Sequence, residues 1–142
     1  MKTASKYFIV LFLCFTTVVM SGWRFHLKKN RPLLLFNNRP ITAQTINYTT
    51  RYFKTGQKIH FILIVPLGFK DDHIRVQLVK KEEKTQHWGY KVYWAQDYRV
   101  ERGDKSFISY IVVPEKGYYF LQIFEFNDFD WPLVRNDFWV RE

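Results

Sequence analysis

Apolar and polar side chains alternate with a period of two through most of the chain beyond residue 45. Ile74, Val76 and Leu78, for example, alternate with Arg75 and Gln77, which places each set on one face of a strand. Turn residues recur about every 10–15 positions, which limits the strands to short segments. No stretch after residue 30 has the period of an amphipathic helix. The pattern therefore predicts an all-β domain.

Seven short strands are predicted, and glycine, proline or charged turns separate them. They cover residues 45–52, 58–65, 74–78, 90–94, 107–113, 119–123 and 134–140. Seven strands in about 100 residues are typical of an antiparallel β-sandwich. A small barrel, such as an oligonucleotide-binding fold, is the alternative.

The last two predicted strands carry a more specific pattern. The sequence PEKGYYFLQIFE, followed by DFWV, resembles the closing hairpin of immunoglobulin-like and fibronectin-like bacterial domains. The resemblance implies that Gly117 turns the chain and that Tyr119 is a corner tyrosine, with a buried ring and a hydroxyl bonded to nearby backbone. It covers about 25 residues and concerns the fold, which many unrelated functions share.

The N-terminal segment is of a different kind. Residues 7–23 are uncharged and follow Lys2 and Lys6. As a helix they would span about 25 Å, slightly less than the ~30 Å hydrocarbon core of a bilayer. We therefore predict one N-terminal hydrophobic helix within residues 1–23, serving as a signal anchor or a signal peptide. Cys14, the only cysteine, lies in this segment, so the rest of the chain cannot form an internal disulfide.

A basic linker over residues 24–44 is predicted between this segment and a sandwich domain at 45–142. Its first basic side chains would lie beside anionic lipid head groups: Arg24, Lys28, Lys29 and Arg31. Their position directly after the apolar segment favours a retained anchor over cleavage. The positive-inside rule alone would place the domain in the cytoplasm. A basic start before an apolar segment is the usual export geometry, so we expect a membrane-anchored, extracytoplasmic domain, periplasmic or at the cell surface, with secretion after cleavage as the alternative.

The charge of the chain is divided unevenly along its length. Residues 1–70 contain eleven basic side chains and no carboxylate, whereas residues 71–142 contain eleven basic and thirteen acidic ones, for a total of +9. The basic excess therefore lies away from most of the predicted aromatic strands. This division favours a membrane surface over a nucleic acid as the partner of the basic residues.

Patterns that carry catalysis are missing from the predicted domain. Ser106 and Ser109 lie in or beside one strand, without the G-x-S-x-G turn of a nucleophile. His60, His73 and His87 lack the H-x-H or H-E-x-x-H spacing that collects a metal ion. We therefore expect a protein that is not an enzyme and that uses no cofactor or metal.

Apolar side chains on both faces of two predicted strands suggest an interaction surface. If Tyr119 faces the core, then Phe120, Phe124 and Phe126 lie on the opposite face. Ile62 and Ile64 likewise oppose Phe61 and Leu63. Another subunit, a partner protein or residues 33–36 could cover such a surface. The alternative is a thick core with bulges that shift the register.

Together these patterns predict a non-enzymatic, membrane-tethered module that binds another protein, as an accessory or structural subunit of a cell-envelope complex. The alternative is a secreted glycan-binding module. Its stacking residues would be Trp88, Tyr90, Tyr93 and Trp94, although strict alternation would divide them between two faces.

Overall fold

The computed structural model describes residues 30–82 and 89–142, and within these ranges it contains eight β-strands and no helix. The strands, numbered along the chain, are β1 Leu33–Asn37, β2 Tyr52–Lys54, β3 Lys58–Ile64, β4 His73–Lys81, β5 Tyr90–Arg99, β6 Ser106–Val112, β7 Gly117–Glu125 and β8 Val134–Arg141. The all-β class predicted from the alternation is thus confirmed. Strands β3 to β8 each overlap one predicted segment.

The strands form two sheets. One sheet has three strands in the order β1-β3-β6, and the other has five in the order β2-β8-β7-β4-β5. All neighbours are antiparallel except β2 and β8, which run parallel. Because every second residue faces the opposite sheet, each strand contributes one side to a shared core and one side to an outer face.

The core lies between the sheets and is centred on Phe138, which is fully buried. The Phe36 ring of β1 meets the Phe138 ring edge-on with centroids 5.0 Å apart, and Tyr119 of β7 stacks on it at 5.8 Å. Asn136 adds a polar link between the sheets, since its side-chain Nδ2 donates to the Leu34 carbonyl oxygen at 2.7 Å. These contacts fix the two outer faces on opposite sides of the domain.

The corner tyrosine implied by the sequence resemblance is present. The Tyr119 ring is fully buried, and its hydroxyl donates to the backbone carbonyl oxygen of Glu115 at 2.9 Å. Burial raises the pKa of the Tyr119 hydroxyl, which keeps it protonated and able to donate this bond. Both implied features of Tyr119 are confirmed.

The structure differs from the predicted segments at the start of the domain. Strand Leu33–Asn37 falls in the predicted linker but pairs along its length with β3, and the compact unit of the fold begins at Pro32. The predicted strand 45–52 is instead a turn followed by irregular chain as far as Arg51. Thr42 and Thr45 bond to each other's backbone and side chains, as short hydroxyl side chains do in turns, and only Tyr52 enters β2.

The predicted N-terminal helix at residues 1–23 lies outside the described residues. No helix within 30–82 and 89–142 has the length and hydrophobicity needed to cross a bilayer.

Candidate interaction surface

The outer face of the five-stranded sheet carries an unusual number of aromatic rings. In β7, alternation directs Tyr119 and Leu121 into the core and Tyr118 and Phe120 outward. The strands beside β7 contribute further outward side chains at the same level, because Tyr118 pairs with Trp139 of β8. We call this surface the aromatic face; its main members are Tyr52, Arg75, Tyr90, Tyr118, Phe120, Phe124, Phe126, Phe129, Arg135 and Trp139.

One end of the aromatic face is a continuous cluster of rings from three strands. The Tyr118 ring lies 4.5 Å from the Trp139 ring and 4.9 Å from the Phe120 ring, centroid to centroid. Tyr90 of β5 meets Phe120 edge-on at 5.5 Å. The Arg135 guanidinium lies over the Phe120 ring, with its central carbon 3.8 Å from the ring centroid. This is a close cation–π contact, and it orders an exposed arginine on an apolar platform.

The cluster extends to the edge strand β2. Tyr52 pairs with Trp139 across the parallel β2–β8 contact, and the Arg141 guanidinium lies over the Tyr52 ring at 4.5 Å. Burial raises the pKa of the Tyr118 hydroxyl, and the neighbouring Asp137 carboxylate raises it further. The Tyr118 phenol is therefore neutral near pH 7, and its one O–H is directed to the Asp137 carboxylate.

The other end of the face repeats the combination of arginine and phenylalanine. Arg75 of β4 donates from Nε and Nη2 to both carboxylate oxygens of Asp97 on β5, at 2.7 and 2.9 Å. This bidentate bond lowers the pKa of Asp97 and fixes the guanidinium 4.8 Å from the Phe129 ring. Phe129 in turn contacts Phe124 and Phe126. A hydrogen bond between Gln77 and Gln122 separates the two ends.

The predicted interaction residues fall on two different surfaces. Phe120, Phe124 and Phe126 all belong to the aromatic face, where Phe124 is nearly buried and Phe126 is 40% exposed. Ile62 and Ile64 lie instead on the outer face of the three-stranded sheet, because β3 belongs to that sheet.

Several members of the aromatic face were missed by sequence reasoning. Tyr118 and Trp139 have the alternation that would have revealed them, since each is one residue from a core side chain. Arg135 gave no such signal, because its position over Phe120 depends on the pairing of β7 with β8.

The three described glycan-stacking candidates, Tyr90, Tyr93 and Trp94, do not share a surface. Leu78 pairs with Trp94 and Val79 with Val92, so Tyr93 is an extra residue that forms a bulge. Tyr93 and Trp94 are partly buried against the core, and the Tyr93 ring meets Tyr119 at 5.8 Å. Tyr90 points outward on the aromatic face, and Trp88 lies outside the described residues.

Of the predicted membrane-surface residues, Arg31 is exposed just before β1, and Arg24, Lys28 and Lys29 lie outside the described residues. In the described part of the chain, no group of three His, Cys, Asp or Glu side chains is arranged to hold a metal ion.

Comparison with known proteins supports the fold and assigns no family. No protein-family model matches the chain, and no curated protein sequence matches it. The crystal structure of an immunoglobulin-like protein from Pseudomonas aeruginosa matches with a TM-score of 0.50 and 14% identity, over 77% of this chain and 92% of that one. The domain is therefore an immunoglobulin-like β-sandwich, as the closing hairpin indicated.

Other matches correct one expectation. A superoxide reductase (neelaredoxin) from Ignicoccus hospitalis matches at 12% identity, with a TM-score of 0.44 over 78% of this chain and 80% of that one. A β-glucosidase from Listeria innocua matches at 10% identity and a TM-score of 0.44, over 78% of this chain but 16% of that one. The exclusion of enzymes drawn from the sequence is therefore withdrawn, since structural matches include enzymes. Likeness at this identity assigns no activity to the chain.

Proposed function

We propose that this chain is a membrane-tethered immunoglobulin-like module that binds a protein partner through its aromatic face, as a subunit of a cell-envelope complex. The observation that carries the proposal is the continuous cluster of Tyr90, Tyr118, Phe120 and Trp139 with Arg135 over Phe120. Tyrosine, tryptophan and arginine are the residues that dominate binding energy at protein interfaces.

The geometry of the cluster suits binding because its side chains are already ordered. The rings support one another, and Arg135 is held by Phe120 before any partner arrives, so little rotamer freedom is lost on association. Trp139 remains 43% exposed and Phe129 44% exposed, which leaves apolar area for a partner to bury. Arg135 and Arg141, which lie over rings at the Tyr118 end, favour a partner surface that carries carboxylates.

The tether rests on the sequence of the first 31 residues. An uncharged segment at 7–23, followed by Arg24, Lys28, Lys29 and Arg31, is the arrangement of a signal anchor beside anionic lipid. N-terminal sequencing of the mature protein from fractionated cells tests it. A mature chain that begins after residue 21 would show a secreted protein instead.

Site-specific photocrosslinking in the full chain tests the binding surface. A benzophenone amino acid at Trp139 should give one discrete protein adduct in intact membranes, and the same probe at exposed Tyr48 should give none. An adduct from both positions, or from neither, would refute the proposed surface.

The partner captured in this way permits a quantitative test. Arg135→Ala should weaken its binding by at least about 2 kcal/mol, or roughly 30-fold, because the substitution removes a central arginine from the cluster. Arg102→Ala, in the exposed β5–β6 turn, is the matched control and should leave the dissociation constant unchanged. Equal effects of the two substitutions would place the interface elsewhere.

A further inference from the structure

The outer face of the three-stranded sheet is a second apolar surface, on the side of the domain opposite the aromatic face. Leu35, Ile62 and Ile108 form one row across β1, β3 and β6, and Leu33 and Ile64 lie in the next row. Ile62 is only 6% exposed because its neighbours in the row cover it. We call this surface the apolar face.

Several outward side chains of the edge strands β1 and β6 remain open to contact. Leu33 is 47% exposed, Ile108 51%, Tyr110 49% and Val112 47%. Exposed large hydrophobic side chains grouped in this way mark a surface that a membrane or another molecule covers.

The three strands that form the apolar face carry no carboxylate. The five-stranded sheet, by contrast, carries Asp97, Glu125 and Asp137. Lys58 lies on this face, where its Nζ is 4.7 Å from the Tyr110 ring centroid. Arg31 and Lys105 are exposed at the ends of β1 and β6. Asp104 and Glu115 lie in the loops on either side of β6, so the carboxylate-free region is the face of the strands themselves. An apolar strand face that carries a lysine and no carboxylate is complementary to anionic lipid.

The covalent path of the chain keeps this face near a bilayer. Leu33, the first residue of β1, comes ten residues after Trp23, the last residue of the uncharged segment. Ten residues span at most about 35 Å when fully extended, so β1 cannot lie farther than that from a membrane that holds residues 7–23.

We propose that the apolar face lies on the surface of an anionic bilayer, with Ile108 and Val112 entering the head-group region and Lys58 and Lys105 contacting lipid phosphates. This inference rests on the membrane tether of the proposed function. It gives that function an orientation, because the aromatic face of the opposite sheet then points away from the membrane toward a partner.

Fluorescence quenching in the full chain tests the orientation. In a Cys14→Ser background, an environment-sensitive label at Ile108→Cys is compared with the same label at Trp139→Cys. Both chains are reconstituted into vesicles of phosphatidylcholine and phosphatidylglycerol. Brominated lipid should quench the label at 108 and not the label at 139, and acrylamide in the water should do the reverse. In vesicles of phosphatidylcholine alone, and in the Lys58→Glu variant, the lipid quenching at 108 should be largely lost.

The outcomes separate this inference from the proposed function. Carbonate extraction that releases the chain from membranes would refute the tether. A chain that resists extraction while its label at 108 is as open to acrylamide as the label at 139 would overturn the lipid docking alone. Dipolar coupling between spin labels at 108 of two chains would also overturn it, because a second copy would then cover the apolar face.

Discussion

Gly68 and Gly56 have nearly the same backbone conformation but different surroundings, so replacing each with alanine separates two costs. Their φ angles are +76° and +73°, both in the left-handed region that side chains disfavour. A Cβ at Gly68 would lie 2.6 Å from the Gly103 carbonyl oxygen and 2.9 Å from its Cα. A Cβ at Gly56 would meet nothing within 4 Å.

The magnitudes follow from these distances. Each substitution lowers the free energy of unfolding by about 1–2 kcal/mol, because alanine disfavours the left-handed backbone conformation. At Gly68 the obstructing atoms are backbone, so the β3–β4 and β5–β6 loops must separate. Three hydrogen bonds join those loops: Val65 N to Lys105 O at 2.8 Å, and Phe69 N to Asp104 O and Gly103 N to Phe69 O, both at 2.9 Å. Losing two of them adds about 2 kcal/mol, for a total of roughly 3–4 kcal/mol.

Thermal unfolding of the full chain in mild detergent, followed by near-ultraviolet circular dichroism of its aromatic side chains, measures the difference. At about 4 °C per kcal/mol, Gly68→Ala should lower the Tm by about 12–16 °C and Gly56→Ala by about 4–8 °C. Equal shifts for the two variants would refute the reasoning, because they would show that the contact between the loops contributes nothing.

Two further predictions concern single side chains. Tyr119→Phe should lower the free energy of unfolding by about 1 kcal/mol, because it removes the hydrogen bond to the Glu115 carbonyl oxygen. Tyr118→Phe, at the neighbouring outward position, should lower it less. The same denaturation assay compares the two variants, and equal losses would contradict the corner role of Tyr119. Burial, and next Lys58, lower the pKa of His60, so the folded chain binds this proton less readily than the unfolded chain. As pH falls through 6.5, the ordinary pKa of a histidine, the wild type should therefore lose stability that His60→Gln retains. Parallel stability curves from pH 8 to about 5 would refute this.

The candidate surface shows how far a pattern in one strand can reach. Because β7 has a buried residue at every second position, its outward aromatics could be identified from the sequence, and Phe120 and Phe124 do lie together. Ile62 and Ile64 follow the same pattern, yet they belong to the other sheet. Alternation tells which side chains share a face of one strand, but it does not tell which strands lie side by side.

The early part of the domain was predicted less well, for a related reason. Residues 33–36 are a short apolar run between two prolines, and nothing local distinguishes a linker from an edge strand. Pairing with β3 decides the matter, since that contact buries Leu34 and Phe36. The environment of Tyr93 is also decided by strand pairing, because a bulge against β4 turns its side chain toward the core.

By itself, the sequence determined the all-β class and the uneven division of charge, because strand period and charge are local properties. The corner role of Tyr119 was implied by the resemblance of the closing hairpin to immunoglobulin-like domains. The tertiary structure alone decided that the carboxylate-free strands β1 and β3 join β6 in one sheet, and that Arg135 lies over Phe120. Those arrangements depend on which strands pair across long separations in the chain. Pairing of that kind is set by the burial of whole sheet faces, which no single segment encodes.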